Sequence, residues 1–201
     1  LLNRLFIEPT LGLGYPTNDA PILKRLRPFI QPTDMVDCKF DFDFIGIQNY
    51  TREKVKYNLL VPHIRAKIIK ASKRNVKTTL MDWEVYPPSI YKMIKKYSDY
   101  PQIKKIIITE NGATFKDKVE NGRIVDTDRL NFLQHYLNQV LKAKNEGLNI
   151  HGYFVWTFTD NFEWAEGYFP RFGLVHIDFN TLKRTIKESG KWFTNFLSNK
   201  N

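Results

Sequence analysis

The sequence has a single cysteine, Cys38, in 201 residues. That excludes an internal disulfide framework and is compatible with a reducing compartment such as the cytoplasm. It has no run approaching the roughly 18 consecutive apolar residues of a membrane span. It also lacks an internal repeat, a low-complexity tract and a flexible linker, so a single domain without an internal boundary is expected over 1–201. The histidines, His63, His135, His151 and His176, are scattered without metal-ligand spacing. Each reads as structural or solvated, and no metal or cofactor is expected. The chain opens Leu1-Leu2-Asn3-Arg4 without an initiator Met, so the lack of a signal peptide carries no weight.

What is present is an ordinary globular composition, 42% hydrophobic and 26% charged, with a net charge of +10. The positive charge is spread from Lys24 to Lys200 in clusters no longer than Lys95-Lys96 or Lys104-Lys105. Dispersed lysine reads as a solvated surface rather than a nucleic-acid footprint. No nucleic-acid or membrane partner is expected.

Strand-like and helix-like patterns alternate. Phe40–Tyr50 (FDFDFIGIQNY) predicts a strand by β-propensity. Ser89 opens a helical pattern with Ile90, Met93, Ile94 and Tyr97 on one face, closing before Pro101. Lys104–Thr109 (KKIIIT) predicts a buried strand stopped by the turn pair Asn111-Gly112. Asp126 is a candidate N-cap for a helix with Leu130, Leu133, Leu137, Val140 and Leu141 as its stripe and Gly147 as its stop. Ile150–Phe158 predicts a third strand, and Ile186–Leu197 a last helix. This rhythm implies a parallel sheet with helical crossovers, an α/β fold. Residues of functional character fall at the C-terminal ends of the strands: Gln48 and Tyr50, then Glu110, then Trp156. In a β/α barrel those ends form the active-site mouth.

Glu110 at the end of an apolar strand is expensive to bury without work or partners. On its own, Thr-Glu-Asn-Gly is equally compatible with a capping or ion-pair role. The segment Trp156–Asp178 adds a loop dense in aromatics and carboxylates, with Asp160, Phe162, Glu163, Trp164, Glu166, Tyr168 and Phe172. Carboxylates accept paired hydrogen bonds from vicinal hydroxyls, and indoles stack on the C–H faces of sugar rings. The alternative is an aromatic satellite core, expected for Phe154, Phe158, Phe162 and Tyr168.

Five strings in order resemble glycoside hydrolase family 1, the β-glucosidase family: Asn3–Pro16 (NRLFIEPTLGLGYP), Asp43–Arg52 (DFIGIQNYTR), Asp82–Pro87 (DWEVYP), Ile108–Gly112 (ITENG) and the long Trp156 segment. The resemblance implies a (β/α)8 TIM barrel, of which only the C-terminal part, about strands 6 to 8, is in this chain. It implies a retaining β-glucosidase acting on β-glycosides, with Glu110 as nucleophile and Tyr50 orienting it. Glu163 would bind the 4- and 6-hydroxyls, Trp164 the 3-hydroxyl, and Trp156 would lie beneath the ring. Phe172 would line the same subsite and Trp83 would flank the aglycone. A cis peptide is expected at Trp156-Thr157. Gln48 stands where the family more often has Asn. The family's acid/base motif, Thr-Phe/Leu-Asn-Glu-Pro, does not occur in the 201 residues. The chain alone is therefore expected to be poorly soluble and poorly active, or part of a longer protein. Within the resemblance, a 6-phospho-β-glycosidase and a non-catalytic sugar- or protein-binding relative remain as alternatives.

Overall fold

The computed structural model describes residues 2–19, 22–62 and 64–199; His63 lies outside the described residues. In chain order the elements are α1 (Leu2–Thr10), α2 (Asp34–Asp37), β1 (Ile45–Gln48), β2 (Val55–Tyr57), β3 (Ala66–Ile68), α3 (Pro88–Ser98), β4 (Ile106–Asn111), β5 (Lys118–Glu120), β6 (Arg123–Val125), α4 (Thr127–Asn145), β7 (Ile150–Val155), β8 (Val175–Ile177), β9 (Arg184–Ile186) and α5 (Glu188–Ser198), with short 3-10 turns between some of them. They divide between two compact units.

One unit comprises Leu1–Asp43 and Val55–Ile68. It holds α1, α2 and the antiparallel hairpin β2–β3. The end of α1 is closed by Thr10, whose Oγ1 donates to the Ile7 carbonyl at 2.8 Å. The Thr10 carbonyl then accepts the Phe40 N–H at 3.0 Å.

The other unit, Phe44–Lys54 and Ile69–Asn201, is built on a parallel sheet in the order β1-β4-β7. Ile47, Ile106 and Ile108 fill its core, and α3 adds Ile90 and Ile94 at 0% exposure. Each such side chain contributes about 1.5–3 kcal/mol on burial. α4 packs against both α3 and α5. Its buried face carries Phe132, Leu133, Tyr136, Leu137 and Val140, and Gly147 ends it at φ +87°, a conformation that favours glycine.

The structure differs from the sequence expectations at several places. The first strand is Ile45–Gln48, not Phe40–Tyr50, and Phe40 and Phe44 are 69% and 47% exposed. β-propensity reflects fit to a half-buried pleated surface, and those residues have no partner strand to supply one among the described residues. β4 runs on through Glu110 to Asn111, so Asn111-Gly112 does not stop it at Thr109. Ile186 belongs to β9 and the last helix starts at Glu188, while Leu141 on α4 is exposed. The three antiparallel hairpins, β2–β3, β5–β6 and β8–β9, are additions that strands of three residues do not announce. Phe154, Phe158, Phe162 and Tyr168 form no satellite core; all are more than half exposed, though Phe162, Tyr168 and Phe179 touch edge to edge or tilted.

Candidate active site

The three parallel strands deliver Tyr50, Glu110 and Trp156 side by side. Tyr50 lies just beyond β1, Glu110 is the penultimate residue of β4, and Trp156 follows β7. Parallel pairing puts their C-terminal ends together, and Gln48 stands opposite Glu110 in the register. The Tyr50 hydroxyl donates to Glu110 Oε2 at 2.6 Å. Burial, that hydrogen bond, and the negative charges of Glu110 and Glu163 all raise the Tyr50 pKa, so the phenol holds its proton and remains a donor.

Aromatic rings close around this pair. Tyr50 lies 5.3 Å from Trp83 and 6.4 Å from Phe172, and Trp83 lies 6.1 Å from Phe172, centroid to centroid. Phe172 is 2% exposed. A cleft of about 650 Å³ adjoins Trp83 and Tyr50, with Arg52, Lys92 and Met93 also lining it. Glu163 is half-buried, and its Oε2 is buried with no hydrogen-bond partner among the described residues. A buried carboxylate oxygen left unpaired costs free energy and is free to accept a donor. Trp164 stands apart at 81% exposure with φ +42°, and makes no ring contact among the described residues. Trp156 is half-buried, and its bond to Thr157 is cis.

Two glycines permit this assembly. A Cβ on Gly112 would lie 1.7 Å from the Trp156 carbonyl oxygen, so the backbone beyond Glu110 can pass the cis peptide only as glycine. A Cβ on Gly173 would lie 2.2 Å from the Asp160 nitrogen. That close approach lets residues 157–160 run beside 172–175, with Leu174 N–H donating to Thr157 and Val175 N–H to Phe158. Phe172 is thereby carried back to the Trp156 strand end.

Buried ion pairs fasten the surrounding loops. Glu84, 3% exposed, accepts from Arg52 at 2.9 and 2.8 Å and from Arg74 at 2.8 Å. Arg52 also lies over the Tyr86 ring at 3.4 Å. The Arg52 bond, aided by Arg74 and against the effect of burial, draws the Glu84 pKa down to about 2. This clamp ties the Tyr50–Arg52 segment to Trp83.

Asp160 is not a sugar-facing carboxylate. It is 4% exposed and accepts from Lys187 at 2.8 Å, Gly173 N–H at 2.9 Å and Arg171 at 3.1 Å. Burial pushes its pKa up, but the Lys187 charge and these donors win and hold it down. Arg129, 1% exposed, donates to Asp126 at 2.6 Å, to Asp117 at 2.8 Å and to the Ala113 and Arg171 carbonyls. It thereby joins the loop after β4 to the loop after β7. Asp126 spends its carboxylate on Arg129 and Ser189 instead of capping α4. Asp117, Asp160 and His176 lie close enough to share an ion. However, the Lys187 ammonium already sits 2.7 Å from Asp117 and 2.8 Å from Asp160. A metal would have to displace that buried cation, so the cluster fits an ion-pair network better than a metal centre. His176 has its pKa lowered by burial and by the Arg171 charge, which leaves it neutral. His135 and His151 make local contacts to Asn131 and Asn149.

Of the residues expected from sequence, the structure brings Tyr50, Glu110, Trp83 and Phe172 into one group with Glu163 beside it, and leaves Trp164 exposed. The Glu84 clamp and the Arg129 hub were missed. Glu84 and Arg52 stand in the strings Asp82–Pro87 and Asp43–Arg52, yet their pairing spans thirty-two positions and no local pattern announces it.

Comparison with known proteins shows the family of the chain. The model of the family described as Glycosyl hydrolase family 1 matches residues 1–201. A 1,4-beta-D-glucan glucohydrolase of Thermotoga neapolitana is 39% identical over 196 residues, 97% of this chain and 43% of the relative. A 6-phospho-beta-galactosidase of Clostridium acetobutylicum is 44% identical over 119 residues, 59% of this chain and 25% of the relative. Among solved structures, the family 1 β-glucosidase of Thermotoga maritima superposes with a TM-score of 0.87 at 36% identity, covering 98% of this chain and 44% of that one. The chain thus spans less than half the length of these relatives. With a family match along its whole length and a carboxylate–tyrosine pair at its strand ends, the chain belongs to glycosyl hydrolase family 1.

Proposed function

We propose that the chain is the C-terminal part of the catalytic domain of a retaining β-glucosidase, its β1, β4 and β7 being the sixth, seventh and eighth strands of a (β/α)8 barrel. The observation that carries this reading is the 2.6 Å bond from Tyr50 to Glu110, with the unpaired Glu163 oxygen close enough for its charge to act on the same phenol. Glu110 attacks the anomeric carbon of a terminal β-D-glucosyl unit, and a C–O ester bond forms as the bond to the aglycone oxygen breaks. A glutamic acid outside these 201 residues protonates that oxygen. The same group then takes a proton from the water that opens the ester. A retaining pair stands about 5–5.5 Å apart. Tyr50 fixes the nucleophile and Trp83 flanks the leaving group. Glu163 accepts from sugar hydroxyls with Trp164, Trp156 and Phe172 around the ring. No cofactor, nucleic acid or membrane enters this reading; no helix among the described residues is long and apolar enough to cross a membrane.

The phospho-sugar relative calls for a second reading, a 6-phospho-β-glycosidase. The carboxylate of Glu163 would repel a phosphate dianion. Between Trp164 and Phe172 the sole cation is Arg171, and it is engaged by Asp160 and the Ile177 carbonyl. Hydrolysis of a β-glucoside and of its 6-phosphate by the intact protein separates the two, and preference for the phosphate would overturn the glucosidase reading.

The central test is release of dinitrophenolate from 2,4-dinitrophenyl β-glucoside. That leaving group departs without acid assistance, so the assay isolates the nucleophile. Glu110→Gln is expected to lower turnover on the order of 10³-fold or more. An unchanged rate would remove Glu110 from the mechanism, and no turnover by the intact protein with or without the substitution would favour the non-catalytic alternative.

A further inference from the structure

Asn111 follows Glu110 and is 0% exposed. Its amide group spans the sheet at the level of the carboxylate. The Nδ2 group donates to the Asn49 carbonyl on the β1 side at 2.5 Å, and Oδ1 accepts from the Tyr153 hydroxyl of β7 at 2.6 Å. Its backbone carbonyl accepts the Trp156 N–H at 2.9 Å, and the Asn49 N–H donates to the Glu110 carbonyl at 3.1 Å. Ser89 on α3 extends the chain by donating to Asn49 Oδ1 at 2.9 Å.

The regular ladder is interrupted at this level. The β1–β4 register shifts between Ile47 and Gln48, and the β4–β7 register shifts between Ile108 and Asn111. Backbone pairing alone does not fix the strand ends where the ladder slips. The Asn111 side chain adds to the backbone bonds that resume beyond the slips, binding the neighbour of Tyr50 on one side and the strand that leads to Trp156 on the other. Tyr153 is half-buried by exposure, but burial around its hydroxyl raises its pKa, so the donor to Oδ1 is kept.

Resting on the glucosidase reading above, we propose that Asn111 is a positioning residue for the nucleophile: by joining β1 and β7 across β4 it sets the Tyr50–Glu110 contact. Asn111→Asp removes the donor to Asn49, and Tyr153→Phe, the milder change, removes only the hydroxyl that orients the amide. Both are made in the intact enzyme, and active sites are counted by trapping with 2,4-dinitrophenyl 2-deoxy-2-fluoro-β-glucoside. Per trapped site, kcat on dinitrophenyl β-glucoside is expected to fall 10- to 100-fold in Asn111→Asp and less in Tyr153→Phe, because small misplacements of a reacting group have effects of that size. KM is expected to change by less than about threefold. In a Tyr50→Phe background the effect of either substitution shrinks to within about twofold, since the contact it sets is already gone. A purely structural role would lower the number of trapped sites and leave kcat per site unchanged. That result in Tyr153→Phe, or effects that multiply fully with Tyr50→Phe, overturns the proposal. Wild-type enzyme that forms no ester on Glu110 overturns the glucosidase reading itself, a separate outcome.

Discussion

Glu163 Oε2 is buried without a hydrogen-bond partner among the described residues, while the carboxylates of Asp160 and Glu84 are saturated with donors. The contrast is what the proposed sugar-binding role of Glu163 requires, the other two carboxylates being taken up in holding loops together. Glu163→Gln keeps the shape but replaces one acceptor by a donor and removes the charge. It is expected to lower kcat/KM for β-glucosides by roughly 10²-fold, about the worth of one or two charge-assisted hydrogen bonds. The melting temperature should stay within a few degrees, because no protein contact of Oε2 is lost. A change in melting without a change in kcat/KM would assign Glu163 to structure. Glu84 is the opposite case. A carboxylate whose folded pKa lies below its unfolded value adds stability that is complete above the unfolded pKa and is lost as pH falls through the folded one. For Glu84 that window runs from its ordinary 4.5 down to about 2. The effect is about 3 kcal/mol. The melting-point gap between wild type and Glu84→Gln should narrow as pH falls across that window; a gap unchanged at pH 2 would contradict the clamp. The Tyr50–Glu110 hydrogen bond was legible because each residue stands in a distinctive string. The structural role of Asp160 was not legible, because its partner Lys187 lies twenty-seven positions away.

At the level of elements, periodicity located the three parallel strands and the helices between them, since long apolar stripes such as Ile90–Ile94 or Leu133–Val140 leave little choice. It failed where tertiary partners decide, as in the Phe40–Phe44 stretch and the three short hairpins. It also misassigned Gly112. The pair Asn111-Gly112 looked like a turn, but the glycine is needed because the Trp156 carbonyl passes where a Cβ would be. Gly112→Ala must move the end of β4 or the start of the Trp156 loop. A shift of either kind displaces Glu110 from Tyr50. Loss of about 3 kcal/mol or more is expected, in the range of overpacking against backbone, together with loss of turnover. Equilibrium unfolding and the dinitrophenyl assay check both, and an active, equally stable variant would show that the close approach is dispensable.

For the molecule as a whole, the sheet has β1 and β7 as its outer strands among the described residues. Phe154 and Phe158, on and just after β7, are 60% and 73% exposed. Open edges and bare aromatics of this kind promote association. On the proposed reading they are surface that the remaining strands of a barrel would cover, in keeping with a chain that matches 44% of a structural relative. The same division applies to the chemistry. On the proposed reading the nucleophile half lies in this chain and the proton donor elsewhere, so rate should depend on leaving group in a characteristic way. The 201 residues alone, where they assemble, are expected to release dinitrophenolate detectably but to leave methyl β-glucoside almost untouched, because an alkoxide needs a proton to depart. Adding the segment that carries the acid/base glutamate should raise the methyl glucoside rate by about 10²- to 10⁴-fold, the usual worth of general acid catalysis. The dinitrophenyl rate should rise far less once corrected for the fraction folded. Equal gains on both substrates would mean that the missing segment supplies only folding, and that the proton donor has to be sought within this chain.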